Sequence, residues 1–277
     1  MKKLLLSLLA MATFVACNNN DRLEETPIEQ TVLPVKMKSG YYDEQGTFHL
    51  ESDVRLDYAG NKLSKITYLE TGEDGSQSTE VTTITYQGDL ITKISDSEST
   101  HTFTYDNQGN LIKEVEEYVG ENTIYTRTCN YTISGNKVTA NYTQTNTYSG
   151  SSNTSEGTIV FTLDANKQVI HSLDTSKSYQ STHEATYVYD TKNAAFKNVT
   201  GLDKLSYSSF RGEQLSVPHN IIASSEEYKS SYTNNLSEYK HQNEYNTLNF
   251  PLKKDILHKQ EDGSFKKTST ITIEYNK

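Results

Sequence analysis

The chain has 277 residues and a formal net charge of −10, with 34% hydrophobic residues, 20 tyrosines, no tryptophan and two cysteines. The acidity argues against nucleic acid or anionic lipid head groups as partners. Two cysteines exclude a disulfide framework and a Cys-based zinc site. Aliphatic side chains this sparse cannot fill a wide core, so the fold must expose much of one sheet face or enclose a polar interior.

The N-terminus reads as a signal peptide over residues 1–16. Lys2 and Lys3 precede an apolar run from Leu4 to Val15, shorter than the ~20 residues a membrane-spanning helix needs. Phe14-Val15-Ala16-Cys17 then resembles a bacterial lipobox, with Phe14 where that motif usually has Leu; the resemblance implies a lipid on Cys17. Cys17 would be a membrane anchor, and Asn18 to Lys38, polar with Pro27 and Pro34, reads as a flexible tether over 17–38. After removal of residues 1–16, 24 basic residues face 36 acidic ones, a net charge of −12. The lipid, not a basic patch, would hold the protein to its membrane.

Residues 39–277 read as a single β domain. A phrase recurs in it: a strand ending in an aromatic residue, a turn with Asp, Asn or Gly, then Leu-x-Lys-Ile or a variant. Copies are anchored at Tyr58, Tyr86, Tyr105, Tyr131, Leu163, Tyr189 and Tyr245, the clearest running from Phe103 to Val115. Thr, Tyr, Ile and Val suit pleated strands, and Gly or Asn takes the positive φ of a tight turn. Period two puts His101, Phe103 and Tyr105 on one face, and Leu111, Lys113 and Val115 together on the return strand. Cys129 falls in phase with Arg127 and Tyr131 and reads as a small buried hydrophobe.

Further strands are expected at Thr79–Tyr86, Thr123–Ile133, Lys137–Tyr148, Glu238–Tyr245 and Phe265–Tyr275. About 12–16 strands follow in all, joined in order as an antiparallel up-and-down meander. At ~4.8 Å per strand, fourteen would span roughly 65 Å if flat, so twist should give a strongly curved sheet or a partly closed barrel. A helix and loop interruption is expected over 198–235. Thr200-Gly201-Leu202-Asp203 suggests a capping box, and Leu202, Leu205 and Phe210 predict one short helix near 201–210. The polar run from Ala223 to Asn235 predicts a loop.

Tyr105-Asp106-x-x-Gly109-x-Leu111 resembles the YD repeat of RHS-type envelope and toxin-shell proteins. The wider pattern, over roughly residues 50–277, resembles envelope lipoproteins of Bacteroidetes with a porin-like β-meander. In that family a Tyr-Asp-x-Lys-Asn segment leads into a short helix. Here Tyr189-Asp190-Thr191-Lys192-Asn193-Ala194-Ala195-Phe196 stands at that place, without the frequent Asn-Pro-Phe. The resemblance implies a fold and an envelope address, with the outer membrane as the anchoring membrane. It supplies no activity and no functional residues.

Catalytic chemistry is not legible. The seven histidines show no metal-ligand spacing, and there is no nucleophile elbow, phosphate loop or dinucleotide fingerprint. Asp106 to Glu117 has oxygen ligands in calcium-loop positions, but Leu111 stands where that loop needs Gly. No catalytic residue, metal site or cofactor is expected. Tyrosines are the remaining candidates for binding. Those on the repeat should pack the sheet; Tyr142, Tyr148, Tyr179, Tyr228 and Tyr232 lie off it and are free to meet a ligand. The sequence thus predicts a non-enzymatic envelope lipoprotein that binds a glycan, a peptide or a partner protein, or serves as a scaffold. The alternatives are a structural assembly subunit and, further off, a polysaccharide hydrolase.

Overall fold

A computed structural model describes residues 31–71, 77–208, 210 and 218–276. The signal segment 1–16, Cys17 and the tether up to residue 30 lie outside the described residues, as do residues 209 and 211–217 of the expected interruption.

Sixteen antiparallel strands follow one another around a closed barrel. They are Pro34–Tyr42 (β1), Phe48–Ala59 (β2), Lys62–Thr71 (β3), Gln77–Gln87 (β4), Leu90–Ser95 (β5) and Ser99–Tyr105 (β6). Leu111–Val119 (β7), Thr123–Ser134 (β8), Lys137–Tyr148 (β9), Ser151–Leu163 (β10) and Val169–Ser176 (β11) continue the series. Ser181–Tyr189 (β12), Ile221–Lys229 (β13), Asn234–Tyr245 (β14), Pro251–Lys259 (β15) and Phe265–Tyr275 (β16) complete it. The expected meander is present, and it closes fully: β1 pairs with β16 from Pro34↔Tyr275 to Tyr41↔Ser269. Closure leaves no exposed edge strand.

Two boundaries differ from expectation. Residues 34–38 are strand β1, not tether: Met37 points into the barrel while Lys36 and Lys38 face out, and closure of the sheet orders them. The expected loop at 223–235 is mostly β13 and the start of β14. The inward positions of β13 include Ser224 and Glu226, so this strand lacks the apolar alternation that would reveal it.

The repeated phrase is a hairpin with a bulge. The turn is built by its acid: Asp106 Oδ1 accepts the amides of Gln108 and Asn110 at 2.9 Å, and Gly109 takes φ 76°. Asp164 and Asn246 act likewise in their own turns. Pairing then skips a residue at Tyr58, Tyr86, Tyr105, Leu163, Tyr189 and Tyr245. The bulge shifts the phase of the return strand, so Leu111 and Glu114 both face inward. This corrects the expectation that Leu111 shares its face with Lys113 and Val115. Leu63 with Ile66 and Ile91 with Ile94 show the same three-residue spacing of buried positions.

Two tyrosines of the phrase, and Tyr275 at the end of β16, satisfy a carbonyl beside the preceding bulge. The Tyr105 hydroxyl donates to the Ile91 carbonyl (2.6 Å), Tyr189 to Val169 (2.8 Å) and Tyr275 to Pro251 (2.8 Å). Each hydroxyl thus pairs a backbone group that the bulge leaves out of the ladder.

The turns after even-numbered strands share one end of the barrel with both chain ends of the sheet. The described part of the β12–β13 connection, residues 190–208, 210 and 218–220, folds into this end. Its Phe196, Val199, Leu202, Leu205 and Tyr207 are buried in one core with Leu63, Ile91, Leu111 and Val138 of the wall. A sixteen-strand barrel is too wide for wall side chains to fill, and this segment supplies the missing volume. The expected short helix is a single 3-10 turn, Leu202–Leu205. The expected capping box does not form: Gly201 is the N-cap at φ 85°, without a side-chain cap. An added Cβ at Gly201 would lie 2.7 Å from the Asp89 carbonyl oxygen, so wall and plug meet there as backbone on backbone. Thr200 joins them too, its amide donating to Asn61 O and its carbonyl accepting from Tyr86.

The outward face is largely polar, with scattered exposed apolar side chains such as Val81, Ile124 and Val188. Thr126, Thr145 and Thr154 form one row across β8, β9 and β10, and Thr128, Thr143 and Glu156 the next. Ion pairs dress other strands outside: Lys36–Asp53 (3.2 Å), Lys65–Asp57 (2.8 Å) and Lys253–Glu244 (2.9 Å). The threonine rows on β8 to β10 interrupt the continuous apolar band that a membrane-spanning barrel turns to lipid.

Candidate functional site

Above the plug the lumen stays partly polar. Across β8 to β13 one inward row runs Tyr131, Ala140, Ile159, Asp174, His183 and Tyr228, each opposite the next. Beside it lie Arg127, Cys129 and Tyr142. Arg127, Asp174 and His183 line a chamber of about 190 Å³, with Ser172, Phe161 and, from the plug, Tyr207 and Ser208. Asp174 and His183 stand two residues from the ends of β11 and β12 at the far mouth of the barrel. The chamber therefore lies a short way in from that end.

Tyr142 organises the chamber. Its hydroxyl donates to Asp174 Oδ1 (3.1 Å), and the Arg127 guanidinium sits over its ring, 4.5 Å from the centroid. Gly157, between Tyr142 and Ser176 in the ladder, makes this possible. A Cβ there would lie 2.2 Å from the Tyr142 hydroxyl oxygen and 2.7 Å from the Thr175 carbonyl oxygen. Gly157→Ala should therefore lift Tyr142 off Asp174 and destabilise the barrel by about 1–3 kcal/mol, as overpacking does. Urea denaturation measures the loss, and an unchanged midpoint would contradict this packing.

The electrostatics are those of charges held apart. No carboxylate among the described residues forms an ion pair with Arg127, and its Nε is buried without a hydrogen-bond partner. Burial opposes the Arg127 charge, while anionic neighbours, Asp174 and Glu116 among them, favour it. Burial pushes the Asp174 carboxyl up, opposed by its bond from Tyr142 and by Arg127. Burial also raises the Tyr142 hydroxyl to about 12, helped by Asp174. Cys129 is buried, its thiol pushed up by burial to about 11, so it remains protonated and unreactive at neutral pH.

Next to the chamber Glu114 is 1% exposed. Its carboxylate accepts from the Tyr131 hydroxyl (2.7 Å) and lies 3.2 Å from His101 Nδ1. Tyr131 in turn meets Tyr207 of the plug edge-on, ring centroids 5.4 Å apart. The polar wall and the plug are thus locked together below the chamber. No group of three His, Cys, Asp or Glu among the described residues converges as metal ligands would.

Of the five tyrosines singled out by sequence, Tyr142 alone is buried. Tyr148 ends β9, Tyr179 lies in the β11–β12 turn, Tyr228 faces inward near the end of β13, and Tyr232, 93% exposed, tips the β13–β14 turn. These four therefore line the mouth along the arc of wall that carries the chamber. Arg127, Asp174 and His183 were not singled out. A signal existed for Arg127: a charge in phase with Cys129 and Tyr131 on one strand. Gly157 inside a strand was the other, marking a close approach.

No family model and no curated protein matches the sequence. Solved structures with a similar fold include a porin-like protein from Bacteroides vulgatus, at 12% identity over 88% of this chain and 99% of that one, with a TM-score of 0.51. A porin-like protein from Bacteroides uniformis is 13% identical over 88% of this chain and 98% of that one, with a TM-score of 0.49.

Proposed function

We propose that this protein is a non-enzymatic binding protein of the bacterial cell envelope, anchored to the outer membrane by a lipid on Cys17. It takes a glycan, a peptide or a segment of a partner protein at the mouth of the barrel. The observation that supports this most is a lumen floored by its own plug, lined with polar and aromatic groups on one arc, inside a wall with a largely polar exterior. Such a barrel is a cup rather than a pore. The porin-like fold neighbour from B. vulgatus fits an envelope address. The polar outer wall favours attachment through the chain's N-terminal lipid over insertion of the barrel.

A structural subunit assembling by strand pairing needs free edges, and closure of β1 on β16 removes them. A polysaccharide hydrolase needs two facing carboxylates, and among the described residues the chamber is lined by one, Asp174.

Glycan and peptide arrays probed with the full-length chain test the reading. A Tyr148, Tyr179 and Tyr232 triple alanine variant should lose about tenfold or more of any affinity found and keep the wild-type melting temperature, since all three are exposed. Binding that the variant leaves unchanged, or concentration-dependent self-association without ligand binding in sedimentation, would overturn it. Palmitate labelling lost in Cys17→Ala tests the anchor.

A further inference from the structure

We infer that the chamber below the mouth takes a small zwitterion: a free amino acid with an apolar or aromatic side chain. The inference rests on the binding role proposed above and names its ligand class.

Four features carry it. Arg127 and Asp174 flank one tyrosine, the cation over its ring and the carboxylate at its hydroxyl, and they form no ion pair with each other. The Arg127 Nε is buried and unpartnered. A buried guanidinium N–H without an acceptor is costly, and a ligand oxygen that takes it offsets that cost. The guanidinium fork suits a carboxylate, and Asp174 suits an ammonium. A purely anionic ligand would meet Asp174, with Glu116 close by; a purely cationic one would meet Arg127. A dipolar ligand of zero net charge satisfies both.

The remaining lining fits the rest of such a molecule. Ile159, Phe161, Tyr131 and Tyr207 form an apolar and aromatic floor, and Ser172 and Ser208 add hydroxyls. The volume of about 190 Å³ is below the ~300–1,000 Å³ of drug-sized sites, which suits one residue rather than an oligomer. His183 and Tyr228 lie opposite each other on the way in from the mouth.

Calorimetric titration of the full-length chain with L-phenylalanine, L-leucine and L-tyrosine tests this. At least one should bind. L-Phenylalaninol, which lacks the carboxylate, and N-acetyl-L-phenylalanine, which lacks the ammonium, should bind about tenfold more weakly or worse than L-phenylalanine. Arg127→Gln should erase the difference between phenylalanine and phenylalaninol, and Asp174→Asn the difference between phenylalanine and its N-acetyl form. Arg127→Lys should fall between wild type and Arg127→Gln, since it keeps the charge and loses the fork. If a variant fails to fold, the three phenylalanine compounds on the wild-type protein still decide. No binding of any amino acid at about 10 mM, or equal binding of all three compounds, overturns the inference. Failure here with a rim-dependent ligand on the arrays leaves the binding role standing and removes only the zwitterion.

Discussion

Phe196→Ala should destabilise the protein by about 3–5 kcal/mol, the range for truncating a buried aromatic side chain. Phe196 is 1% exposed and belongs to the core shared by plug and wall. Its ring borders a cavity of about 240 Å³ lined by Met37, Leu56, Ile66 and Ile271 from β1, β2, β3 and β16. Those strands are held by a closed hydrogen-bonded ladder and cannot collapse inward to refill the lost volume, so the cost belongs at the upper end of the range. These four strands include the closing pair, so the ring also supports the seam where the barrel begins and ends. A fall in melting temperature of about 10 °C is expected for a chain of this size, together with a matching shift in urea midpoint. A loss below about 1 kcal/mol would show that the plug opens while the barrel persists. Amide exchange confined to residues 190–208 would then register the opening.

The same packing explains what could be read in the sequence. The phrase was legible because a related local chemistry serves most copies: a tight turn, often with an Asx residue or a residue at positive φ, followed by a bulge. The bulge itself was written in the spacing of Leu63 and Ile66, and of Ile91 and Ile94. Two apolar residues three apart in a strand both face inward only if a residue has been skipped. Read as plain period two, the same spacing misassigned Lys113 and Val115. Strands β1 and β13 were hidden for another reason. The lumen is polar near the mouth, so Ser39, Ser224 and Glu226 occupy inward positions that a dry core would give to valine or isoleucine. Closure had no local signature, since it depends on pairing the first strand with the last.

The candidate site divides similarly. Four of the five tyrosines outside the repeat fall at the mouth because they sit at the far ends of β9 and β13 or in the turns after β11 and β13. Arg127 and Asp174 sit on different strands, 47 positions apart in the chain. They meet only through Tyr142 of β9, whose ring lies under Arg127 and whose hydroxyl reaches Asp174.

His241 should make the protein acid-sensitive well above the pH at which carboxylates protonate. It is 5% exposed on the inner face of β14, with Nε2 3.4 Å from Ser224 Oγ and Nδ1 buried without a partner. Burial lowers its pKa to about 3, with Lys254 acting in the same direction. In the unfolded chain a histidine titrates near pH ~6.5. Above that value neither state carries the proton, and the full stability is present. Below it the unfolded chain binds a proton that the folded ring refuses, so stability falls as pH drops through the window from ~6.5 to ~3. The slope approaches about 1.4 kcal/mol per pH unit. Between pH 7 and pH 4 this one side chain should remove roughly 3 kcal/mol. His241→Gln keeps a polar group near Ser224 and cannot bind the proton. It should therefore lose roughly 3 kcal/mol less than wild type over the same interval in urea denaturation, while the carboxylates contribute equally to both proteins. Parallel stability–pH curves for the two would mean that the folded ring accepts a proton after all. The lumen around it would then have to supply a counter-charge or water that the burial of His241 and its neighbour Lys254 argues against.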